Sequence, residues 1–399
     1  MRPLSKKIAT IEGSSTMRLF TRAKKMKADG IDVVSLTAGE PDFPTPQLIK
    51  DAGIKAIQEN FTKYTPNQGI PELLKAVAEK FRRDNNLSFE PGQILVSCGA
   101  KHSLYNALQA LCSRGDEVII PAPYWVSYPE MTKLVDAVPV IVKTSQANHF
   151  KMTPAQLKKA ITKKTKLMIF CSPSNPTGAV YTREEIERLA EVVRKTGIYV
   201  VSDEIYEKVI YDGMQHVSFG SIDSVKDLVV TVNGVSKAYS MTGWRIGFLG
   251  ARKDIAEAAE KVQSQITSNA NAIAQKAALS ALTGNLESEV KAMVQEFDRR
   301  RLFFVSELQR IKGLEFIYPR GAFYIFARVK QFLNKSVNGT RIKTADELCE
   351  HALMKHNVAF VPGSGFGEKD WVRMSYACSM ADLQKATERL QQCFNEFNS

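Results

Sequence analysis

Between about residues 46 and 284 the chain alternates short apolar runs with segments whose apolar positions recur every three to four residues. Runs of four to eight apolar residues suit buried strands, and the longer spacing suits helices with one apolar face. Residues 94–97 (Ile-Leu-Val-Ser) predict a strand that runs into a helix over 101–111, and 117–120 and 167–170 predict further strands. Thr182 followed by Glu185 forms a capping box, which opens a helix carrying Ile186, Leu189, Val192 and Val193 on one face, and Gly197 supplies its stop. Strands follow at 198–202 and 228–232. Strands that alternate with helices form a mostly parallel sheet covered on both faces, so the pattern predicts an α/β fold.

The pattern changes near residue 286. A long helical stretch runs to 309, two short strands are expected at 314–318 and 322–327, and helices return at the end. The expected organisation is an N-terminal arm with one strand at 33–36 (residues 1–45), a large domain (46–285) and a smaller α+β domain (286–399). Residues 1–45 are read as an extended arm that joins the smaller domain. An active site is expected between the domains, beyond the carboxyl ends of the large-domain strands.

Composition narrows the function. At 399 residues and 44% hydrophobic content the chain reads as a globular protein of more than one domain. The first ten residues carry Arg2, Lys6 and Lys7 without an apolar run behind them, unlike a signal peptide, and no stretch approaches the roughly 20 apolar residues of a membrane span. A cytoplasmic protein with no membrane partner is expected. Six cysteines without a CxxC pair and five histidines without HExxH spacing indicate neither a disulfide framework nor a metal site. The excess of 54 Lys and Arg over 42 Asp and Glu is dispersed, as in Lys158-Lys159 and Lys163-Lys164 of a helix-like segment, with no interleaved aromatics. That argues against a nucleic-acid partner and agrees with anionic substrates.

Four loops that follow predicted strands carry candidate chemistry. In Val232-Asn-Gly-Val-Ser-Lys-Ala-Tyr-Ser-Met-Thr-Gly-Trp-Arg-Ile-Gly-Phe248, small residues surround Lys237, and Arg245 stands eight positions on. A lysine taken alone is usually a solvated ammonium, but here it can reach a cofactor aldehyde while the arginine pairs a phosphate. Asp203, with Tyr206 three residues later, can keep a pyridine nitrogen protonated or can simply cap a helix. Asn175, in Ser172-Pro-Ser-Asn-Pro-Thr-Gly178, offers an amide to a ligand or belongs to an ordinary proline-rich turn. The turn Ser97-Cys-Gly-Ala-Lys-His102 can present backbone N–H groups to a phosphate, as many α/β turns do.

Together these segments resemble the fold-type I aminotransferases that use pyridoxal 5′-phosphate, in particular the bacterial subgroup of the aspartate aminotransferase family. The likeness extends from Ser35-Leu-Thr-Ala-Gly-Glu-Pro-Asp-Phe43 to Val372-Arg-Met-Ser-Tyr376. It implies a seven-stranded-type sheet and catalytic roles for Lys237, Asp203 and Tyr206. Lys237 forms a Schiff base and shuttles a proton, Asp203 pairs the ring nitrogen, and Asn175 and Tyr206 bind the ring's phenolic oxygen. Trp125, which unaided would read as a core aromatic, stacks on the ring. Gly99, Ala100, Lys101, Ser236 and Arg245 hold the phosphate, helped by Tyr64 from a second subunit of a homodimer. Arg373 grips the substrate α-carboxylate under Gly39, and Lys101, Ser15 and Thr16 meet the distal carboxylate.

The implied reaction is ping-pong transamination between aspartate and 2-oxoglutarate, with prephenate as a further substrate. A lyase or decarboxylase on the same fold, or a non-catalytic regulator, are the alternatives. The resemblance also implies a cis Asn175-Pro176 bond. The sequence departs from the wider family at Gly234, where a serine often stands, which removes one phosphate hydrogen bond.

Overall fold

The computed structural model describes residues 4–13, 15–337 and 339–397. Seven strands form the main sheet in the order Ile94–Ser97, Gly247–Gly250, Val229–Gly234, Tyr199–Asp203, Thr165–Cys171, Glu117–Ala122 and Val138–Lys143. All pairings are parallel except those of Gly247–Gly250, which is antiparallel to both neighbours. Successive residues of a strand face opposite sides. Val118 and Ile120 therefore pack with Leu104 and Leu108 of helix Ala100–Leu111, while Ile119 packs with Ile186 and Leu189 of helix Arg183–Thr196. The sheet is thus buried on both faces, as an α/β pattern requires.

The local signals produced the local structure. Thr182 and Glu185 close the expected capping box, and Gly197 ends the helix in the left-handed region at φ 71°. The strand Gly247–Gly250 lacked a recognisable pattern, because two of its four residues are glycines. Both are required by close packing: a Cβ at Gly247 would lie 2.2 Å from the Ala100 nitrogen, and one at Gly250 would lie 2.4 Å from the Phe89 ring.

Two expectations need correction. Residues 1–45 are not simply an extended arm, since Ser15–Ala28 is a helix. Its sequence is dominated by cations and hydroxyls, and a narrow apolar stripe of Leu19, Ala23 and Met26 docks it on the C-terminal core. The helix holding Lys158 and Lys159 ends at Ala160, so Lys163 and Lys164 lie beyond it.

The C-terminal part builds a four-stranded antiparallel sheet in the order Val361–Pro362, Trp371–Ser375, Tyr324–Arg328 and Glu315–Phe316. Helices Glu287–Gln309, Ala345–His356 and Met380–Asn395 surround it. Strand Val34–Ser35 pairs in parallel with Val358–Ala359, which ties the N-terminal segment to this layer. Its core also takes in Ile205, Tyr206, Val209 and Tyr211 from the large sheet's loops. Buried Arg301 bridges the two parts, with Nη2 2.7 Å from Asp212 and 2.6 Å from Asp298. Among the described residues no helix is long and apolar enough to cross a membrane, and all six cysteines are free thiols.

Candidate active site

A cleft with a cavity volume of about 500 Å³ opens beyond the carboxyl ends of the large-sheet strands, walled on its far side by Tyr324, Phe366 and Arg373 of the C-terminal part. Asp203 is the last residue of its strand and is buried. Burial pushes its pKa up to about 6, against hydrogen bonds from the Tyr128 hydroxyl at 2.7 Å and the Ile205 N–H at 3.3 Å.

The turn after Asp203 is held by a buried polar network. Glu204 accepts from the hydroxyls of Ser202 and Ser218 and from the Phe219 N–H, Asn85 bridges Glu204 and Glu207, and Lys80 pairs with Glu207. Every carboxylate there is satisfied, which fixes the direction of Asp203 and Tyr206. Tyr206 shares a 2.7 Å hydrogen bond with the hydroxyl of Tyr324.

Lys237 stands three residues past strand Val229–Gly234, and its ammonium donates to the Gly39 carbonyl. Burial lowers its pKa to about 8; Glu40 opposes the change, while Arg245 and Arg373 add to it. Gly234 has a steric reason. A Cβ there would lie 3.0 Å from both the Gly247 Cα and the Ile246 carbonyl, so the serine common elsewhere would not fit without a shift.

One end of the cleft suits a dianion. Helix Ala100–Leu111 begins there; the His102 and Ser103 N–H groups donate to the Gly99 carbonyl, while those of Ala100 and Lys101 have no acceptor within the helix. Arg245, itself at φ 57°, donates to the Thr242 carbonyl at 2.8 Å and lies against Gly99. Gly99 does not line the cleft. Its value is its φ of 89° and the absence of a Cβ, which would sit 2.4 Å from the Arg245 Nη2. Ala100, Lys101, Ser236 and Arg245 form the wall here.

The other end suits a carboxylate. Arg373 is buried, donates to the Asn175 side-chain oxygen at 3.0 Å and to the Thr37 carbonyl at 2.9 Å, and stacks on Tyr324 and Phe366. Its Nε has no partner, and among the described residues no ion pair to a carboxylate is formed by it. A buried cation left this way awaits an anionic ligand. The Asn175-Pro176 bond is cis, as are Ser172-Pro173 and Ala122-Pro123. Between the two ends, half-buried Trp125 meets Tyr128 edge-on, and the exposed Lys101 holds its Nζ 4.6 Å above the Trp125 ring. Burial and then Arg245 lower the pKa of Lys101.

Thus Lys237, Asp203, Tyr206, Asn175, Trp125, Ala100, Lys101, Ser236, Arg245, Gly39 and Arg373 come together. Tyr64 does not; it is 92% exposed. The backbone of Ser15 and Thr16 starts a helix, but their side chains lie outside the described residues. Sequence reasoning missed Tyr128, Tyr324 and Glu40. Tyr128 left a trace as an aromatic three residues after Trp125, and Glu40 as the neighbour of Gly39 in the segment 35–43.

Residues 31–390 match the family described as aminotransferase class I and II. The chain belongs to that family. It is 48% identical to the aspartate aminotransferase of Geobacillus stearothermophilus over 97% of this chain and 98% of that protein. It is 46% identical to the bifunctional aspartate aminotransferase and glutamate/aspartate-prephenate aminotransferase of Petunia hybrida, over 97% of this chain and 82% of that protein. The solved aspartate aminotransferase of Rhizobium meliloti superposes with a TM-score of 0.95 at 40% identity, covering 99% and 100% of the two chains. The chain is therefore an aminotransferase of the pyridoxal-phosphate type, and the dianion end, the buried amine and the buried carboxyl group fit that cofactor.

Proposed function

We propose that this aminotransferase exchanges amino groups between aspartate and 2-oxoglutarate by a ping-pong cycle. The observation that carries the reading is buried Arg373 at the carboxylate end of the cleft, which among the described residues forms no ion pair with a carboxylate, together with Lys101, which lines the same cleft over Trp125. A planar guanidinium clamps the α-carboxylate that all substrates share. Lys101 meets the second carboxylate, with Ser15 and Thr16 assigned to the same end by resemblance. Prephenate, itself a 2-oxo acid with two carboxylates, meets the same demand and is the further acceptor.

When bound, pyridoxal phosphate supplies an electron sink for the substrate Cα–H bond. The chain's residues then have distinct tasks. Lys237 presents an amine that is partly neutral near pH 8, so its Nζ would hold the cofactor and, once displaced by the substrate's amino group, would take and return the Cα proton. Asp203, kept in place by Tyr128, holds a proton on the ring nitrogen; Tyr206 and Asn175 donate to the ring oxygen. Trp125 covers the ring face. The first turn at Ala100 and Lys101, shaped by Gly99, joins Ser236 and Arg245 on the phosphate, and Gly39 closes over the substrate.

The division into residues 1–45, 46–285 and 286–399 is part of the same proposal, as is a homodimer in which Tyr64 of each chain reaches the other's phosphate. The exposed ring of Tyr64 supports that reading. A donor–acceptor panel followed through the cofactor spectrum tests the function. Aspartate should convert the cofactor to its amine form, and 2-oxoglutarate or prephenate should restore it. A release of carbon dioxide or a loss of the side chain without that conversion would establish a decarboxylase or lyase instead.

A further inference from the structure

Far along the chain from the catalytic loops, two helices bring four metal-binding side chains to one point. His351 and His356 lie in the last turns of helix Ala345–His356, and Cys393 and Glu396 lie at the end of helix Met380–Asn395. The Nε2 atoms of His351 and His356 are 2.8 and 3.3 Å from the same carboxylate oxygen of Glu396. The ligand atoms of His351, His356 and Cys393 all lie within 4.8 Å of one another. None of the four lines the catalytic cleft.

We propose that His351, His356, Cys393 and Glu396 form a structural site for a divalent metal ion of the zinc type. Two imidazoles, one thiolate and one carboxylate make a mixed N, S and O set that suits zinc in tetrahedral geometry, and four protein ligands leave no open position for catalysis. The charges also close: a dication with one thiolate and one carboxylate is neutral. Neutrality suits surroundings in which Cys393 is fully buried, the two histidine side chains are 8% and 11% exposed, and Phe397 packs edge-on against His351.

A pair of histidines sharing a carboxylate needs no metal, but such a pair does not account for two further features. The Nε2 of His356 is buried 3.3 Å from the Glu396 carboxylate without hydrogen-bond geometry to it, and the Cys393 sulfur converges on the same point. The other cluster of this kind, Glu204, Glu207 and His216, makes the contrast. There Lys80, Asn85, the two serines and the Phe219 N–H already occupy the carboxylate oxygens. Those partners, Lys80 among them, already stabilise both carboxylates without an ion.

In a tetrahedral zinc site the ligand atoms stand roughly 3.3–3.8 Å apart, so the cluster must contract by about an ångström. On binding, the Cys393 thiol loses its proton to solvent, both imidazoles bind as neutral bases through Nε2, and the ion exchanges its waters for the four protein atoms. The ion would pin the end of the last helix to helix Ala345–His356.

The test uses the full-length holoenzyme stripped with a chelator. Addition of Zn(II) should leave one ion per chain after gel filtration and raise the Tm, and Co(II) should show a thiolate-to-metal charge-transfer band. His351→Ala and Cys393→Ala should each lose the band and the Tm response, with transamination unchanged in His351→Ala. Should Cys393→Ala fail to fold, His356→Ala provides the same comparison. Absence of retained metal in the wild-type protein overturns the proposal, and so does binding that persists in a His351→Ala, His356→Ala double variant.

Discussion

In the cofactor-free enzyme Lys237 holds its proton weakly, and that property is measurable. Its pKa of about 8, against the usual 10.5, comes first from burial and then from the positive charges of Arg245 and Arg373, with Glu40 and Asp203 resisting. Only the neutral amine attacks an aldehyde. At pH 7 roughly one amine in ten is then neutral, against roughly one in three thousand at the usual value, a difference of about 3 kcal/mol. The assay mixes cofactor-free enzyme with pyridoxal phosphate from pH 6 to 10 and divides each rate by that of butylamine, which cancels the cofactor's own titration.

The normalised rate should carry the depressed value. The enzyme's advantage over butylamine should be greatest below pH 8 and shrink above it, as the lysine has finished titrating while the simple amine has not. Glu40→Gln removes the largest opposing charge and should move the change to lower pH. A ratio that stays flat to pH 10 refutes the account. The same shift has a sign for stability: the folded state binds this proton less well than the unfolded chain, so the penalty is full below about pH 8 and vanishes above 10.5. Lys237→Met should therefore stabilise the cofactor-free protein at pH 7, by at most about 3 kcal/mol, and have little effect near pH 10.5.

Asp203 carries the opposite sign, since its folded pKa of about 6 exceeds the ordinary 3.8 and its penalty is full above pH 6. Asp203→Asn should stabilise the cofactor-free protein at pH 7 by about 1–3 kcal/mol in urea denaturation while transamination falls by orders of magnitude; a less stable variant contradicts the account. Lys101→Ala should raise the KM for aspartate about fivefold and spare alanine, because an exposed cation in an open cleft contributes about 1 kcal/mol rather than the full value of a buried pair. Equal effects on both donors would assign Lys101 to the cofactor. Tyr64→Ala should weaken pyridoxal phosphate binding in equilibrium dialysis even though the side chain is 92% exposed in a single chain; unchanged affinity would remove Tyr64 from the shared site.

Much of the site was legible because its signals are local. Strands 94–97 and 199–203 announced themselves by apolar runs, the helix at 183–196 by its capping box and terminal glycine, and the catalytic loops by the small residues that follow each strand. Residue roles, by contrast, rested largely on resemblance. Trp125 alone reads as a core aromatic and Lys101 as a solvated cation, and only the cleft gives either of them something to face. The N-terminal helix escaped notice because its apolar stripe is narrow and acquires meaning only against the core that buries Leu19 and Ala23.

By itself, then, the sequence determined the α/β alternation, the loops that carry the chemistry and the family. These depend on propensities and periodicities that act within a turn or two of chain. Tertiary structure alone decided what those loops meet. Tyr128 reaches Asp203 across 75 positions, Arg373 reaches Asn175 across 198, and Arg373 also reaches the Thr37 carbonyl across 336. Such contacts arise from strand order and from the docking of one sheet's loops on another. Both are settled by burial summed over whole elements, so no short stretch of sequence contains them.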